Sequence, residues 1–478
     1  MDDGIMNQYL GWIPPNAHTI LEFGCGDGSL GKMFKEVQPD CFFVGIDNDI
    51  AALECAEANL DIVLKGNDRG KILKIIEEYA PWDCVVYRDK EYFNNQSIDI
   101  HMSNNGQILV HNNAECYNFP WRMAKRNIKK PFQIVSLFQD PVCAFMRMII
   151  PNSFYKTNPD INVVEMDLGK LWEQNALNFG EPYILLFQRV LSKSLDGAVK
   201  LQNRLASFDA LMIHEFDDWP ERWNNEYNNT RYMDFVGCHV VQTTTPLLAD
   251  YFRQYNPYVL TFPNELCNLP AKRNCIDKEH INIFFGAVNR EDDWREIMPI
   301  LNEAVVRYGE KIHFLVVADK LFYEKLHTPY KRFIGEGVNN GRFVPYNVYE
   351  DTLHKADIAL LPLKNTMFNR MKSDLKFIES AGHGAAVLAS TVVYEHSIKD
   401  GKTGLLYSNL REFRYKLFQL IEKIEIRKKI SDNAYNYVKH NRLMCQHYEE
   451  RIEIYKELMM KKNKLEIDRQ HRIVSWSG

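Results

Sequence analysis

The sequence describes an α/β protein of three successive domains, each built on an open parallel sheet. Short apolar strands alternate with amphipathic helices in three runs that begin near residues 18, 132 and 279. A chain of 478 residues is also too long for one ordinary hydrophobic core. Finally, glycine-bearing turns stand directly after strands in the first and third runs, where open parallel sheets carry their ligand-binding loops.

The first run reads HTILEFG, helical SLGKMFKEV, CFFVGID, helical AALECAEANL, DIVLKG, helical KILKIIEEYA, WDCVVY and GQILVHN. Repeated βα units of this kind predict a Rossmann-like domain over residues 1–125. The basic stretch WRMAKRNIKKP, 121–131, breaks the pattern and marks the boundary. A second domain, 132–270, follows from PYILLFQRV, FDALMIHEFDDW, GCHVVQTT and YVLTFPNE. The third, 279–460, runs through the strands INIFFGAVN, KIHFLVVAD, GRFVPY, IALLPL and AAVLAS, with helices between them. Phe413, Leu417, Leu420, Ile421 and Ile424 recur at helical spacing, so closing helices are expected on that sheet. Residues 461–478 read as a polar, frayed tail.

The net charge of −5, with both signs mixed, offers no face for a nucleic acid. The acidic start MDDGIMNQYLGWIPP is unlike a signal peptide, and no apolar run reaches the roughly 20 residues that span a bilayer. A cytoplasmic protein is expected, with peripheral membrane contact left open. The ten cysteines stand singly, without zinc spacing, and read as free thiols.

The segment NRMKSDLKFIESAGHGAAVLASTVVYEHSIKDGKTGLLY, Asn369 to Tyr407, resembles the donor-site signature of retaining GT-B glycosyltransferases (family 4, or group 1). The resemblance implies that Glu379 stands where that family's glutamate binds the nucleotide ribose; a carboxylate can accept two hydrogen bonds from a vicinal diol. Lys372, Ser373 and Lys376 lie at the start of the same helix, where backbone N–H groups, the helix dipole and ammonium charge would converge on a diphosphate. An ordinary solvated i, i+4 face is the alternative for the two lysines. The likeness extends to GAVNREDDW, where Gly286 would let backbone approach the donor phosphates and Arg290 matches a phosphate-binding base. Arg295 is either the second member of that basic pair or a helix-surface residue. KDGKTGLLY resembles the family's turn, in which Gly401 and Gly404 serve the backbone. The family's first glutamate, eight positions earlier, is replaced by Met371, which leaves Asn369 or backbone amides for the sugar hydroxyls.

In the middle domain, HEFDDWPERW puts Glu215, Asp217 and Asp218 after a strand that should face the cleft between domains. A carboxylate there can orient an acceptor hydroxyl or take its proton; an N-cap and turn cluster is the alternative. Asp217 and Asp218 are therefore catalytic candidates beside Glu379. No metal site is expected, because lysine and arginine occupy the phosphate-binding positions. FVGCHVVQTTTPLLADYF and YVLTFPNELC resemble the end of a GT-B acceptor domain, with Thr243 to Thr245 and a Pro263-Asn264 turn before the linker.

At the other end of the chain, ILEFGCGDGSLG follows a strand and opens a helix. Gly26, Gly28 and Gly31 satisfy GxGxxG, yet Glu22 before Gly24-Cys25-Gly26 resembles the first motif of class I S-adenosylmethionine methyltransferases. The likeness makes Glu22, Gly24, Gly26, Gly28 and Asp47 the residues toward that cofactor; Asp47 ends the next strand and suits a ribose. Asp68 and Asp83 continue the order. After GQILVHN there is no room for the helix and strand hairpin that complete that fold, so lost catalysis is favoured over retained. The combined expectation is a methyltransferase-like domain followed by two Rossmann-like GT-B domains, moving a sugar from a nucleotide-sugar donor to a glycan or protein acceptor, metal-independent and with retention. The rivals are a bifunctional enzyme that also methylates and a scaffold with vestigial nucleotide sites.

Overall fold

The computed structural model describes residues 13, 17–36, 38–88, 100, 102–112, 115–120, 132–138, 144–158, 161–172, 177, 183–190, 192–223, 226–270, 272, 280–288, 290–335 and 344–477. Three six-stranded sheets follow one another along it. The first comprises β1 (Thr19–Phe23), β2 (Phe42–Asp47), β3 (Ile62–Lys65), β4 (Trp82–Tyr87), β5 (Met102–Asn112) and β6 (Glu115–Pro120), in the order β3-β2-β1-β4-β5-β6. The second comprises β7 (Phe132–Phe138), β8 (Ile161–Asp167), β9 (Tyr183–Gln188), β10 (Ala210–Glu215), β11 (Val240–Thr243) and β12 (Val259–Thr261), ordered β12-β11-β10-β9-β7-β8. The third comprises β13 (Ile281–Gly286), β14 (Ile312–Val317), β15 (Lys331–Ile334), β16 (Ile358–Leu361), β17 (Ala386–Ser390) and β18 (Leu405–Tyr407), ordered β15-β14-β13-β16-β17-β18.

All pairings are parallel except β5 with β6, so helices must cover both faces and the central strands read as continuous apolar runs. YILLFQ and ALMIHE, β9 and β10, are buried at every position. Local chemistry starts the helices. Asp49, Asp68, Ser194 and Thr245 each accept a hydrogen bond from a first-turn amide, and Pro246 follows Thr245 at the first helical position.

The middle and third domains are joined by more than one strand of chain. The linker passes outward through Pro263 to Pro270, and the chain returns beside it, with Leu266 bridging Leu443 and the Arg451 guanidinium donating to Glu265 (2.6 Å) and to the Pro263 carbonyl (2.9 Å). One continuous core takes in Ile20, Phe34 and Phe43 of the first domain, Met148 and Phe154 of the second, and Tyr448 and Tyr455 of the returning helix.

The fold corrects several expectations. The closing helices do not all pack on the third sheet: Tyr448–Met460 lies on the middle domain, where the Tyr455 hydroxyl donates to Gln242 (2.5 Å). The expected frayed tail is the helix Lys462–Ser477, docked on the same domain. Glu466 meets His239 at 2.8 Å, Arg472 donates to the carbonyls of Val236 and Cys238, and the Trp476 indole donates to Arg231. Its polar residues look solvated in sequence because their partners are backbone carbonyls more than 230 positions away. Of the expected strand GRFVPY, residues 341–343 lie outside the described residues, Val344 and Pro345 are irregular and Tyr346 opens a helix. The edge strand is Lys331–Ile334. The first domain does find room for a hairpin, as β6 pairs antiparallel with β5 without an intervening helix. The basic stretch 121–131 and the chain start lie outside the described residues. Among the described residues no helix is long and apolar enough to cross a membrane.

Candidate active site

Strand order in the third sheet reverses between β13 and β16, and loops leaving a parallel sheet at such a point diverge and open a crevice. A pocket of about 650 Å³ lies there, lined by Phe285 to Val288, Leu360 to Leu363 and the residues that open the helix Leu375–Gly382. The middle domain closes it with Phe145 and Ile149, from a π-helical turn at Phe145–Ile149. This is the size of a site for one small ligand. Gly286, Arg290, Lys372, Ser373, Lys376 and Glu379 all line it, although they stand in two segments far apart in sequence. At Gly286 a β-carbon would come within 2.7 Å of the Phe284 ring and 3.1 Å of Tyr349, so only glycine lets the strand end pass this close.

Glu379 is 1% exposed, and its carboxylate is already engaged. The Tyr346 hydroxyl donates to one oxygen at 3.1 Å and the Tyr349 hydroxyl to the other at 2.9 Å. The Lys376 ammonium donates to Tyr349 Oη at 2.9 Å, lies 3.5 Å from Glu379 and stays partly exposed. Tyr346 stacks at a tilt on Phe145 across the cleft, ring centroids 4.9 Å apart. The sequence reading missed both tyrosines. Their i, i+3 spacing at a helix start was the available signal; Phe145 had none.

Lys372 crosses the cleft. Its ammonium donates to both oxygens of Asp218, at 2.9 and 3.0 Å, and lies 4.3 Å over the Phe368 ring, which Arg222 and Arg290 also face at 5.1 Å. Burial pushes the lysine below its usual range, against the pull of Asp218. Burial by itself would raise the Asp218 carboxyl, but Lys372, Arg222 and Arg189 outweigh it and hold it below the usual carboxylate range. Asp218 is arranged as an ion-pair partner of Lys372, and a carboxyl so held is a weak proton acceptor. Asp217 accepts from Arg189 Nε at 2.7 Å, and Glu215 is spent inside the domain on Arg147.

Other expectations are redirected. Asn369 is 3% exposed, with its amide oxygen on Arg290 (2.7 Å) and its nitrogen on Asp293 and the Lys364 carbonyl, so it positions Arg290. Met371 packs into the apolar core of the middle domain. Arg295 pairs with Glu291 on the helix surface. Ser373 Oγ accepts from Asn264 at 2.9 Å and ties the linker turn to the pocket. Gly401 has φ 73° in the turn before β18, as a structural glycine should.

In the first domain the residues assigned to S-adenosylmethionine do gather where β1 and β4 part, and Gly24, Gly26 and Gly28 all take positive φ. Their polar groups are turned inward. Buried Glu22 accepts from Arg88 Nε, and Arg88 packs against Gly24. Asp47 accepts from the amides of Gly26 (2.8 Å), Asn48 (2.7 Å) and Asp49 (3.0 Å), so both its oxygens serve the chain's own loop. These internal contacts take up Glu22 Oε1 and both oxygens of Asp47, while Glu22 Oε2 is buried without a partner.

No protein-family model and no curated protein matches the chain. Among solved structures, Anabaena Alr3699/HepE in complex with UDP and glucose is similar at 13% identity and a TM-score of 0.49, over 68% of this chain and 100% of that one. TarM is similar at 9% identity and 0.41, over 94% and 100%. An alpha,alpha-trehalose-phosphate synthase (UDP-forming) from Burkholderia vietnamiensis is similar at 7% and 0.44, over 70% and 97%.

Beside the tyrosines, burial and the charges of Glu379 and Asp351 push the Glu350 carboxyl up to about 8. Its neighbour His383, 3.9 Å away, is pushed down to about 4 by burial. Both are neutral at pH 7. A raised carboxyl stabilises the fold fully below the ordinary glutamate range, and that contribution is lost as pH rises toward about 8. Glu350→Gln should therefore flatten the fall in melting temperature between pH 5 and 8. An unchanged slope in the variant would assign the fall to other groups.

Proposed function

We propose that the chain is a GT-B glycosyltransferase that moves a sugar from a nucleotide-sugar donor to a glycan or protein acceptor. The observation that carries this reading is the pocket at the strand-order reversal of the third sheet, where Gly286 backbone and the cations Arg290, Lys372 and Lys376 face the middle domain. Departure of a nucleoside diphosphate develops negative charge, and preorganised cations in a partly dry cleft stabilise that charge more than water does. Lys376 and Arg290 hold the diphosphate beside the uncapped start of the helix Leu375–Gly382. Glu379 takes the ribose diol by exchanging the longer of its tyrosine contacts, that from Tyr346, for a sugar hydroxyl. Transfer proceeds without a metal and with retention. The first domain is methyltransferase-like in fold and does not methylate, a reading favoured by the internal pairing of Glu22 with Arg88.

The test is a thermal-shift panel of nucleoside diphosphates, nucleotide sugars and S-adenosylmethionine. One nucleoside diphosphate at 100 times its Kd should stabilise the protein by about 2.7 kcal/mol. The shift should vanish in Lys376→Met and in Glu379→Gln. A chain that responds to no nucleotide, or whose response survives both substitutions, does not carry this activity at this pocket.

A further inference from the structure

The C-terminal helix Lys462–Ser477 braces a strained turn of the middle domain. Arg231 and Tyr232, consecutive and neither of them glycine, both stand in the left-handed region, with φ of 51° and 55°. Backbone of that kind persists only where its surroundings fix it. Here the Trp476 indole donates to the Arg231 carbonyl at 2.6 Å, and the Tyr232 ring stacks at 4.1 Å on Tyr255, which Trp476 meets edge-on at 5.7 Å. The turn so held brings the Tyr232 hydroxyl to Glu221 Oε1, which also accepts from the Tyr251 hydroxyl at 2.8 Å.

Glu221 is followed by Arg222 in the short 3₁₀ turn Pro220–Trp223, and Arg222 faces the cleft. Its guanidinium donates to Asp218 Oδ2, the oxygen that also takes the Lys372 ammonium at 3.0 Å, and lies 5.1 Å over the Phe368 ring. Asp218 is 2% exposed, and a carboxylate so buried cannot be left without a counter-charge except at a large cost. When Lys372 turns to a diphosphate, Arg222 stays within hydrogen-bond distance of Asp218, whereas Arg189 Nη2 is 4.0 Å away. The Arg222 side chain is 42% exposed, so solvent and rotamer entropy compete for it, and it keeps one geometry only if its turn is fixed.

We infer that Glu221 is a positioning residue through which the C-terminal helix acts on the cleft. Trp476 fixes the turn at Arg231 and Tyr232, the tyrosines fix Glu221, and Arg222 is thereby kept on Asp218 so that Lys372 can be released. The inference rests on the transferase reading for the release of Lys372, though not for the path from Trp476 to Arg222. The full chain is tested as Glu221→Ala, Arg222→Ala, their double variant, Glu221→Gln and Trp476→Phe, by donor turnover and by hydrogen exchange of residues 216–223. Glu221→Ala and Arg222→Ala should each lower kcat about tenfold and leave the donor KM within about twofold of the parent, as expected of a contact that matters after binding. The double variant should be no slower than either single one, because both break the same path. Glu221→Gln, whose amide oxygen still accepts from both tyrosines, should keep most of the turnover. Trp476→Phe, which keeps a ring and loses the N–H donor, should lower kcat about threefold and raise exchange in 216–223. Losses that multiply in the double variant, equal losses in Glu221→Ala and Glu221→Gln, or turnover and exchange unmoved by Trp476→Phe overturn the inference. A parent protein that neither binds nucleotide nor transfers sugar would sink the transferase reading and with it the role in transfer, while raised exchange in Trp476→Phe and Glu221→Ala would leave the path to Arg222 standing.

Discussion

Replacing Arg147 by methionine is expected to cost the fold about 3–5 kcal/mol, because it strands Glu215 as a buried charge. Arg147 is 2% exposed and Glu215 fully buried. Nε and one terminal nitrogen donate to the two carboxylate oxygens at 2.7 and 3.2 Å. The remaining donors reach the Phe262 carbonyl (2.7 Å), the Thr243 carbonyl (3.2 Å) and Asn264 Oδ1 (3.1 Å). The side chain thus ties the π-helical turn that carries Phe145 to the ends of β11 and β12 and to the turn that holds Ser373. Loss of the arginine should loosen the pocket wall as well as the core. Chemical denaturation of Arg147→Met and of the double variant Arg147→Met/Glu215→Met measures the effect. The double variant should recover much of the loss, since two apolar residues leave no unpaired charge. A single variant within about 1 kcal/mol of the parent would mean that water reaches Glu215 and the pair is not structural in this sense.

On the proposed reading, Lys372→Met should lower turnover of the donor by about 10²–10³-fold, the usual loss when one preorganised donor to a developing charge is removed. The effect should fall mainly on kcat, because Lys372 is held by Asp218 in the resting cleft and is released to the diphosphate as charge develops. Asp218→Asn supplies the opposite arm. With its internal competitor neutralised, Lys372 should bind free nucleoside diphosphate more tightly than in the parent. Rates of nucleoside diphosphate release with the donor found in the thermal panel, together with the diphosphate Kd of each variant, decide this. Lys372→Met with parental kcat would leave the lysine as a cross-domain latch alone.

Much of this architecture was legible from local pattern. Runs such as YILLFQ and ALMIHE announce strands buried on both faces, and the order of strands and helices implies parallel sheets. The turn at Gly286 and the segment Lys372 to Glu379 could be named because they resemble the donor-site signature of GT-B glycosyltransferases and stand in loops after strands, where ligands meet parallel sheets. The helix Lys462–Ser477 was misread because its apolar stripe is sparse, Leu465, Ile473 and Trp476, and much of its docking face is polar side chains that bond carbonyls of the middle domain. The strand Lys331–Ile334 was missed because an edge strand with charged residues carries little periodicity.

What each site residue does was decided in three dimensions. Composition and spacing show that Lys372, Asp218 and Glu379 stand in loops or helix starts that a cleft can use. They cannot show that Lys372 reaches the Asp218 carboxylate 154 positions earlier. Nor can they show that Glu379 is capped by Tyr346 and Tyr349, or that Asp47 folds back onto the amides of its own loop. Strand and helix patterns arise from burial and backbone geometry within a few residues, which any stretch of sequence records. Protonation and hydrogen-bond partners arise from groups within about 3–4 Å in space, and only packing of the three sheets brings those groups together.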